Sequence, residues 1–416
     1  ETAVNIRKRD RSSFIFSLIK EGGVMDFSYF CNATNWSSKP YKEVLDDIRE
    51  IAQYLDEQES WKTIWFSEHH LQSTQGGDME CIPNPILLSA DIAARTSNLR
   101  IGQAASIATF WNPIRLAEDI AFLDNLSGGR VEAGLGRGVF GKEAIHMNIE
   151  ADLKDQAKNF RLFAETLEVL KKAWSEKFFS HQGEFYTYPS PNYVWQHDMS
   201  PPSEEFMNME DSTMKKISVV PQPYQQPHPP IHQVVDGIRS IEWAAENNIN
   251  VIMWIPTVKA LKPKFEAYKN KRSEVTKKNI PLGEGVSLVR DMFVADTMEE
   301  AKEKAGEHMV NYMRWVCHWR GLGNHMDPGE ELPETKHKLD LLNYDFLHKR
   351  NLLFGTPEYV VNKINELKSE LNLQNLQVWS NFPGIDHKAC MRSIKLFNDE
   401  VIPKINFDND DIEKAS

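Results

Sequence analysis

Short apolar runs alternate along this chain with longer stretches in which apolar residues recur three and four positions apart. The runs are 14–18, 63–66, 99–105, 131–135, 231–235, 250–254, 286–294 and 376–379. Each has the length and the β-branched or aromatic content of a buried strand. The stretches between them, such as Val44/Ile48/Ile51/Leu55 and Phe160/Phe163/Leu167/Leu170, put their apolar residues on one helix face. Pro83, Pro113 and Pro357 fall where first turns of helices are expected, a place that tolerates a missing N–H. Eight strands alternating with helices predict an α/β fold with a parallel sheet closed into a (β/α)8 TIM barrel.

Two segments break the rhythm. Residues 175–230 hold a hairpin-like pattern around Gly183 and then a Pro-rich stretch, which predicts an insertion after the fourth strand. Residues 318–350 are polar, with Gly321, Gly323 and Gly329, and at that level of a barrel such a connection reads as a lid. The expected organisation is one domain over 1–405 and an acidic, solvated tail over 406–416.

The chain has 416 residues, 41% hydrophobic and 26% charged, within the range of a barrel enzyme carrying insertions. Its net charge of −12 opposes a nucleic-acid role, which needs a basic surface. No apolar run approaches the ~20 residues that span a bilayer, and no signal peptide is evident. Cys31, Cys81, Cys317 and Cys390 lack pair or metal spacing, so a reducing, cytoplasmic location is the expectation.

In such a barrel the residues after each strand meet at one mouth, so their chemistry is read as a set. The second strand runs into Ser67-Glu68-His69-His70-Leu71. This is either a polar loop or an acid–base centre, since imidazole exchanges a proton near neutral pH. The third ends at Ala104-Ala105-Ser106, small enough for a flat ring to approach the backbone. The fourth ends at Gly134-Leu135-Gly136-Arg137-Gly138, which reads as a tight turn or as a glycine-opened backbone beside a forked cation suited to phosphate. The fifth ends at Asp236-Gly237-Ile238-Arg239-Ser240, and the helix start that follows offers free N–H groups to an anion. A zinc site at Glu68, His69 and His70 is disfavoured, because consecutive residues rarely point at one metal; no metal is expected. Phe110, Trp111, Trp254 and the 318–350 segment are candidates for an apolar pocket or for core.

Together these residues resemble the bacterial luciferase-like flavin-dependent monooxygenases, the luciferase α chain in particular. Ser67 to Leu71 is similar to that family's Glu-His-His segment. Asn112 to Asp119, Leu123 to Arg130, Gly136-Arg137-Gly138, Glu242 to Ala245 and Gly355 to Glu358 are similar to further landmarks in the same order. The resemblance implies that His69 is catalytic with Glu68 and His70 beside it, and that Ala104-Ala105 holds a non-proline cis peptide under the flavin ring. It further implies that Arg137, Gly138, Val139, Asp236, Gly237 and Ser240 bind the cofactor, with Arg137 and the helix start at Asp236, Gly237 and Ser240 on its phosphate and Trp254 near the ring. Two departures stand out. Gly136 replaces the reactive cysteine of the luciferase α chain, and Gly237 replaces a serine.

The resemblance implies an enzyme that uses reduced FMN and dioxygen, through a flavin hydroperoxide, to oxygenate a small organic substrate. A separate NAD(P)H:flavin reductase would supply the reduced flavin, and a homodimer is expected. The rival readings are a deazaflavin-dependent oxidoreductase of the same superfamily and a non-catalytic, luciferase-β-like subunit. Oxygen consumption separates the first rival, and retention of His69 and Arg137 argues against the second.

Overall fold

The computed structural model describes residues 25–406, apart from 72, 75–76, 198, 200–202 and 332–337. Eight parallel strands close into a barrel: β1 (Asp26–Cys31), β2 (Trp61–Phe66), β3 (Arg100–Gln103), β4 (Val131–Gly136), β5 (Ile231–Val234), β6 (Asn250–Trp254), β7 (Val286–Val294) and β8 (Asn375–Trp379). Each pairs with the next, and β8 returns to β1 in register Asp26↔Asn375 to Tyr29↔Val378. Seven of the eight expected strands are in place. The expected first strand, 14–18, lies outside the described residues, and β1 is instead Asp26–Cys31, which completes the barrel. The tail from 407 onward also lies outside them.

Helices begin where the sequence supplies caps. Asn112 accepts N–H bonds from Ile114 and Arg115 ahead of Pro113, and Thr356 does the same for Tyr359 ahead of Pro357. In the second helical unit the first-turn proline is Pro85, after the cap Asn84, rather than Pro83. Gly134 shows how tightly the barrel closes. A Cβ there would stand 1.5 Å from the Gln103 carbonyl oxygen, so no larger residue fits beside β3.

The insertion after the fourth barrel unit carries the expected hairpin, His181–Gln182 paired with Thr187–Tyr188. The carboxylate of Glu165 pins it, accepting backbone N–H bonds from Glu184, Phe185 and Tyr186 and facing His181 Nε2 at 3.1 Å. After β7 the chain forms a π turn (Lys302–Gly306) and the helix Glu307–Arg320. That helix turns Tyr312, Val316 and Arg320 toward the barrel mouth. The described part of 318–350 packs against it through the short helix Tyr344–Arg350, with Leu342 and Leu347 buried. No helix among the described residues is long and apolar enough to cross a membrane.

Candidate active site

A cavity of about 240 Å³ opens among the carboxyl ends of the strands, the place where barrels of this kind gather their chemistry. Glu68, His69, Ala104, Ala105, Arg137, Gly138, Val139, Asp236, Gly237, Ser240 and Trp254 all line it. His70 does not, and neither do Phe110 and Trp111.

Glu68 sits at the end of β2, fully buried. Its carboxylate accepts from Ile107 N at 2.8 Å and from Trp111 Nε1 at 3.0 Å, and lies 2.9 Å from His70 Nε2. Both of its oxygens are thereby hydrogen-bonded within the protein. It therefore ties the β2 end to the segment that follows β3, and Trp111 and His70 serve this clamp rather than the cavity wall.

Between those anchored ends the peptide bond Ala104-Ala105 is cis. The chain then continues as Ser106–Ile107, paired with Leu135 and Gly136 of β4. A Cβ on Gly136 would lie 3.0 Å from the Ala105 Cβ and 3.2 Å from Ile107 Cδ1. Glycine thus lets β4 approach this segment, and a cysteine at 136 would crowd it.

His69 is half-buried, with its backbone N–H bonded to the Ile82 carbonyl at 2.9 Å and its ring 5.4 Å from that of Phe140. Its Nδ1 lies 3.3 Å from Glu80 Oε2 and 3.5 Å from Glu143 Oε1. Burial works against the charged ring, but the negative charges of Glu80, Glu143 and Glu68 outweigh it, and the imidazole pKa is raised above its ordinary value. Glu80 is itself held in place. Its Oε1 accepts from Tyr312 Oη at 2.6 Å and from Asn32 Nδ2 at 3.0 Å, and Ser67 Oγ donates to Asn32 Oδ1 at 2.7 Å. Burial first, then the Glu80 charge, pushes the Tyr312 phenol well above its ordinary pKa, so it stays a proton donor.

Arg137 brings a guanidinium into the lining, and the exposed Arg239 lies beside it just outside. Arg137 donates to Asn159 Oδ1 at 3.2 Å, and both Arg137 and Arg239 lie over the ring of Phe160, at 5.5 and 5.0 Å. Among the described residues neither guanidinium has a carboxylate partner. Burial, and then the neighbouring charge of Arg239, lowers the Arg137 pKa, which marks a place where an anion would be stabilising. Beside it the helix Ile238–Glu246 begins at Gly237 with no side-chain cap, leaving its first N–H groups available. Asp236 pairs with Arg320, and Lys264 donates to its carbonyl oxygen. Its carboxylate therefore ties the helix Glu307–Arg320 to the β5 loop rather than facing the arginine pair.

Trp254 forms part of the wall, its Nε1 donating to Asp291 Oδ1 at 3.2 Å. Asn32, Glu80, Glu143, Tyr312 and Arg320 are the residues that strand-end motifs did not single out. Glu80 and Glu143 follow their strands at a distance, and Tyr312 and Arg320 come from a helix. Among the described residues no group of three or more His, Cys, Asp or Glu is placed to hold a metal ion.

One mouth of the eight-stranded α/β barrel thus gathers a carboxylate-flanked imidazole and the Arg137 guanidinium beside an uncapped helix start. The model of the luciferase-like monooxygenases matches residues 25–372, and the chain belongs to that family. It is 29% identical over 294 residues to the oxygenase component of a flavin-dependent trigonelline monooxygenase from Acinetobacter baylyi, covering 69% of this chain and 70% of that protein. Identity is 22% over 391 residues with a 2,5-diketocamphane 1,2-monooxygenase from Pseudomonas putida, covering 92% and 99% of the two chains. In fold it is similar to the oxygenating constituent of 3,6-diketocamphane monooxygenase from Pseudomonas putida, solved in complex with FMN, with TM-score 0.71, 22% identity and coverage of 92% and 99%. It is also similar to an F420-dependent secondary alcohol dehydrogenase, with TM-score 0.62, 14% identity and coverage of 92% and 100%.

Proposed function

We propose that this chain is the oxygenase component of a two-component monooxygenase that takes reduced FMN and dioxygen and oxygenates a small organic substrate. The observation that carries the reading is the arginine pair. Arg137 and Arg239 flank Phe160 without an acid partner among the described residues, beside an uncapped helix start. That combination fits a phosphate, and the other end of the same cavity has small-residue walls and a histidine. Two names support the choice of cofactor and partner: the relative called an oxygenase component, and the fold neighbour that holds FMN. A separate NAD(P)H:flavin reductase is the implied source of reduced flavin.

Bound reduced flavin would supply the electrons and the oxygen activation. The chain's own residues do the rest. Arg137, Arg239, Ser240 and the N–H groups at Gly237 hold the phosphate. Ala104, Ala105, Gly136 and Trp254 orient the flat ring. With Nδ1 turned to Glu80 and Glu143, His69 keeps Nε2 to hold or move a proton at the reacting end. Tyr312 and Val316 exclude water from that end.

The test supplies the protein with FMN reduced by an added reductase, a substrate panel that includes trigonelline, and isotope-labelled dioxygen. Incorporation of one labelled oxygen into a product is the expected result. Turnover with a reduced deazaflavin in the absence of oxygen would instead place the chain with the dehydrogenases of this fold.

A further inference from the structure

The Nδ1 side of His69 is set by a train of hydrogen bonds that starts on the strand ends and finishes on a helix. Ser67 Oγ donates to Asn32 Oδ1 at 2.7 Å, which commits the Asn32 amide nitrogen to the other side. That nitrogen donates to Glu80 Oε1 and to Tyr312 Oη, each at 3.0 Å. Because Tyr312 Oη accepts there, its own proton goes to Glu80 Oε1, at 2.6 Å. Two donors thus fasten one oxygen of the Glu80 carboxylate, and the other, Oε2, faces His69 Nδ1 at 3.3 Å. Asn32, Ser67, Glu80 and Tyr312 are all buried, a setting in which linked hydrogen bonds are stronger than in water and hold one geometry.

The members of the train come from separate parts of the chain. Asn32 follows β1, Ser67 follows β2, Glu80 lies between β2 and the helix Pro85–Ala93, and Tyr312 is brought by the helix Glu307–Arg320. The Tyr312 ring is held independently of its hydroxyl. It stands edge-on to Trp379 at 4.8 Å, with Trp315 stacked at 6.0 Å and Trp254 at 6.2 Å, so a phenylalanine keeps this packing and loses only the hydrogen bonds. The hydroxyl matters because the tautomer of a neutral imidazole follows the partners of its two nitrogens. With Glu80 Oε2 held toward Nδ1, and Glu143 Oε1 3.5 Å from the same atom, the ring proton stays on Nδ1 and Nε2 keeps its lone pair.

We infer that Tyr312 is a positioning residue for His69: the hydroxyl it brings from the helix Glu307–Arg320 aims Glu80 at Nδ1 and so keeps the Nδ1–H tautomer, which leaves Nε2 free to take a proton. The use of that nitrogen in oxygenation rests on the flavin reading, whereas the tautomer does not. The effect of Tyr312 passes through Glu80. Loss of its hydroxyl therefore lowers turnover and leaves the binding of reduced FMN as it was.

The test is nitrogen NMR of the flavin-free protein carrying isotope-labelled histidine, at a pH where the rings are neutral, with the His69 signals assigned by their absence from His69→Ala. The wild type is expected to show the Nδ1–H tautomer, and Tyr312→Phe to move a measurable share of the ring to Nε2–H. In the same variant, product formation with reduced FMN should fall about tenfold or more, with substrate KM and reduced-FMN affinity within about twofold of the wild type. Should Tyr312→Phe fail to fold by circular dichroism, Glu80→Gln, which changes the acceptor in place of the donor, carries the same expectation. An unchanged tautomer, or a shifted tautomer with unchanged turnover, overturns the proposal, since a role in packing alone would alter only the thermal midpoint. If the wild type itself forms no product with reduced FMN, the flavin reading fails, and the tautomer then decides the role of Tyr312 by itself.

Discussion

In the proposed mechanism His69 holds or moves the proton, and its surroundings set its imidazole for that work. Glu80 and Glu143 take its Nδ1 side, and their charge overcomes the effect of burial to raise its pKa. Replacing His69 by alanine should therefore cut product formation far more than reduced-FMN binding; wild-type turnover with normal flavin binding would remove His69 from the mechanism. The raised pKa also has a stability consequence. A base whose folded pKa exceeds its unfolded value, ~6.5 for histidine, contributes stability that is fully present below that value and is lost as pH rises through the folded pKa. Urea midpoints measured from acid to alkaline pH should fall across that window, and less so for Glu80→Gln. Identical slopes for the two proteins would mean that Glu80 does not hold the proton on His69.

Asp291 adds a loss in the same direction over a lower pH window. Burial raises its pKa to about 7, against smaller lowering effects of the Trp254 bond and Arg290. An acid that keeps its proton longer in the folded state than in the unfolded chain costs stability as pH climbs from ~3.9 toward that value. Asp291→Asn preserves an acceptor for Trp254 Nε1, so it should reduce the loss of stability between acid and neutral pH. A variant that loses stability with pH as steeply as the wild type would count against this source.

At the scale of elements, the helix Glu307–Arg320 is what the polar, glycine-containing segment 318–350 obscured. The residues that reach the mouth, Tyr312, Val316 and Arg320, lie almost entirely before that segment, whose described part braces the helix from outside. We propose that the helix and its brace together act as the lid. Arg320, paired with Asp236, is its latch to the β5 loop. Arg320→Ala should leave the barrel folded by circular dichroism yet raise hydrogen peroxide released per flavin oxidised, since water reaches the reacting end. An unchanged peroxide-to-product ratio would make the pair an ordinary surface contact.

Element by element, the strands were legible because buried parallel strands read as continuous apolar runs. The first was not. Asp26-Phe27-Ser28-Tyr29-Phe30-Cys31 is broken by two polar residues and has no β-branched side chain, so the run from Phe14, with β-branched Ile15 and only Ser17 polar, outweighed it. A glycine pair, Gly22-Gly23, punctuates the sequence just ahead and is the signal that could have found it. The site divides in the same way. Residues immediately after a strand, such as Glu68, Ala104 and Arg137, could be placed from local pattern. Asn32, Glu80 and Tyr312 could not, because their partnership spans 48 and 280 residues of sequence and exists only once the barrel has closed.

For the molecule as a whole, the closed barrel brings the Arg137 guanidinium and a carboxylate-flanked imidazole into one cavity, and the chain belongs to the luciferase-like monooxygenases. The proposed assignment of FMN to this cavity depends on whether Arg137 and the helix start at Gly237 hold a phosphate. Anaerobic titration with reduced FMN and with reduced riboflavin, which differ only in the phosphate, isolates that contact. A charge-assisted phosphate contact contributes about 1.5–3 kcal/mol, or roughly ten- to a hundredfold in affinity. Reduced FMN should bind tighter by that factor, and Arg137→Ala should bring its affinity down toward that of riboflavin. Equal affinities for the two flavins in the wild type would contradict the phosphate site, and with it the assignment of FMN to this cavity.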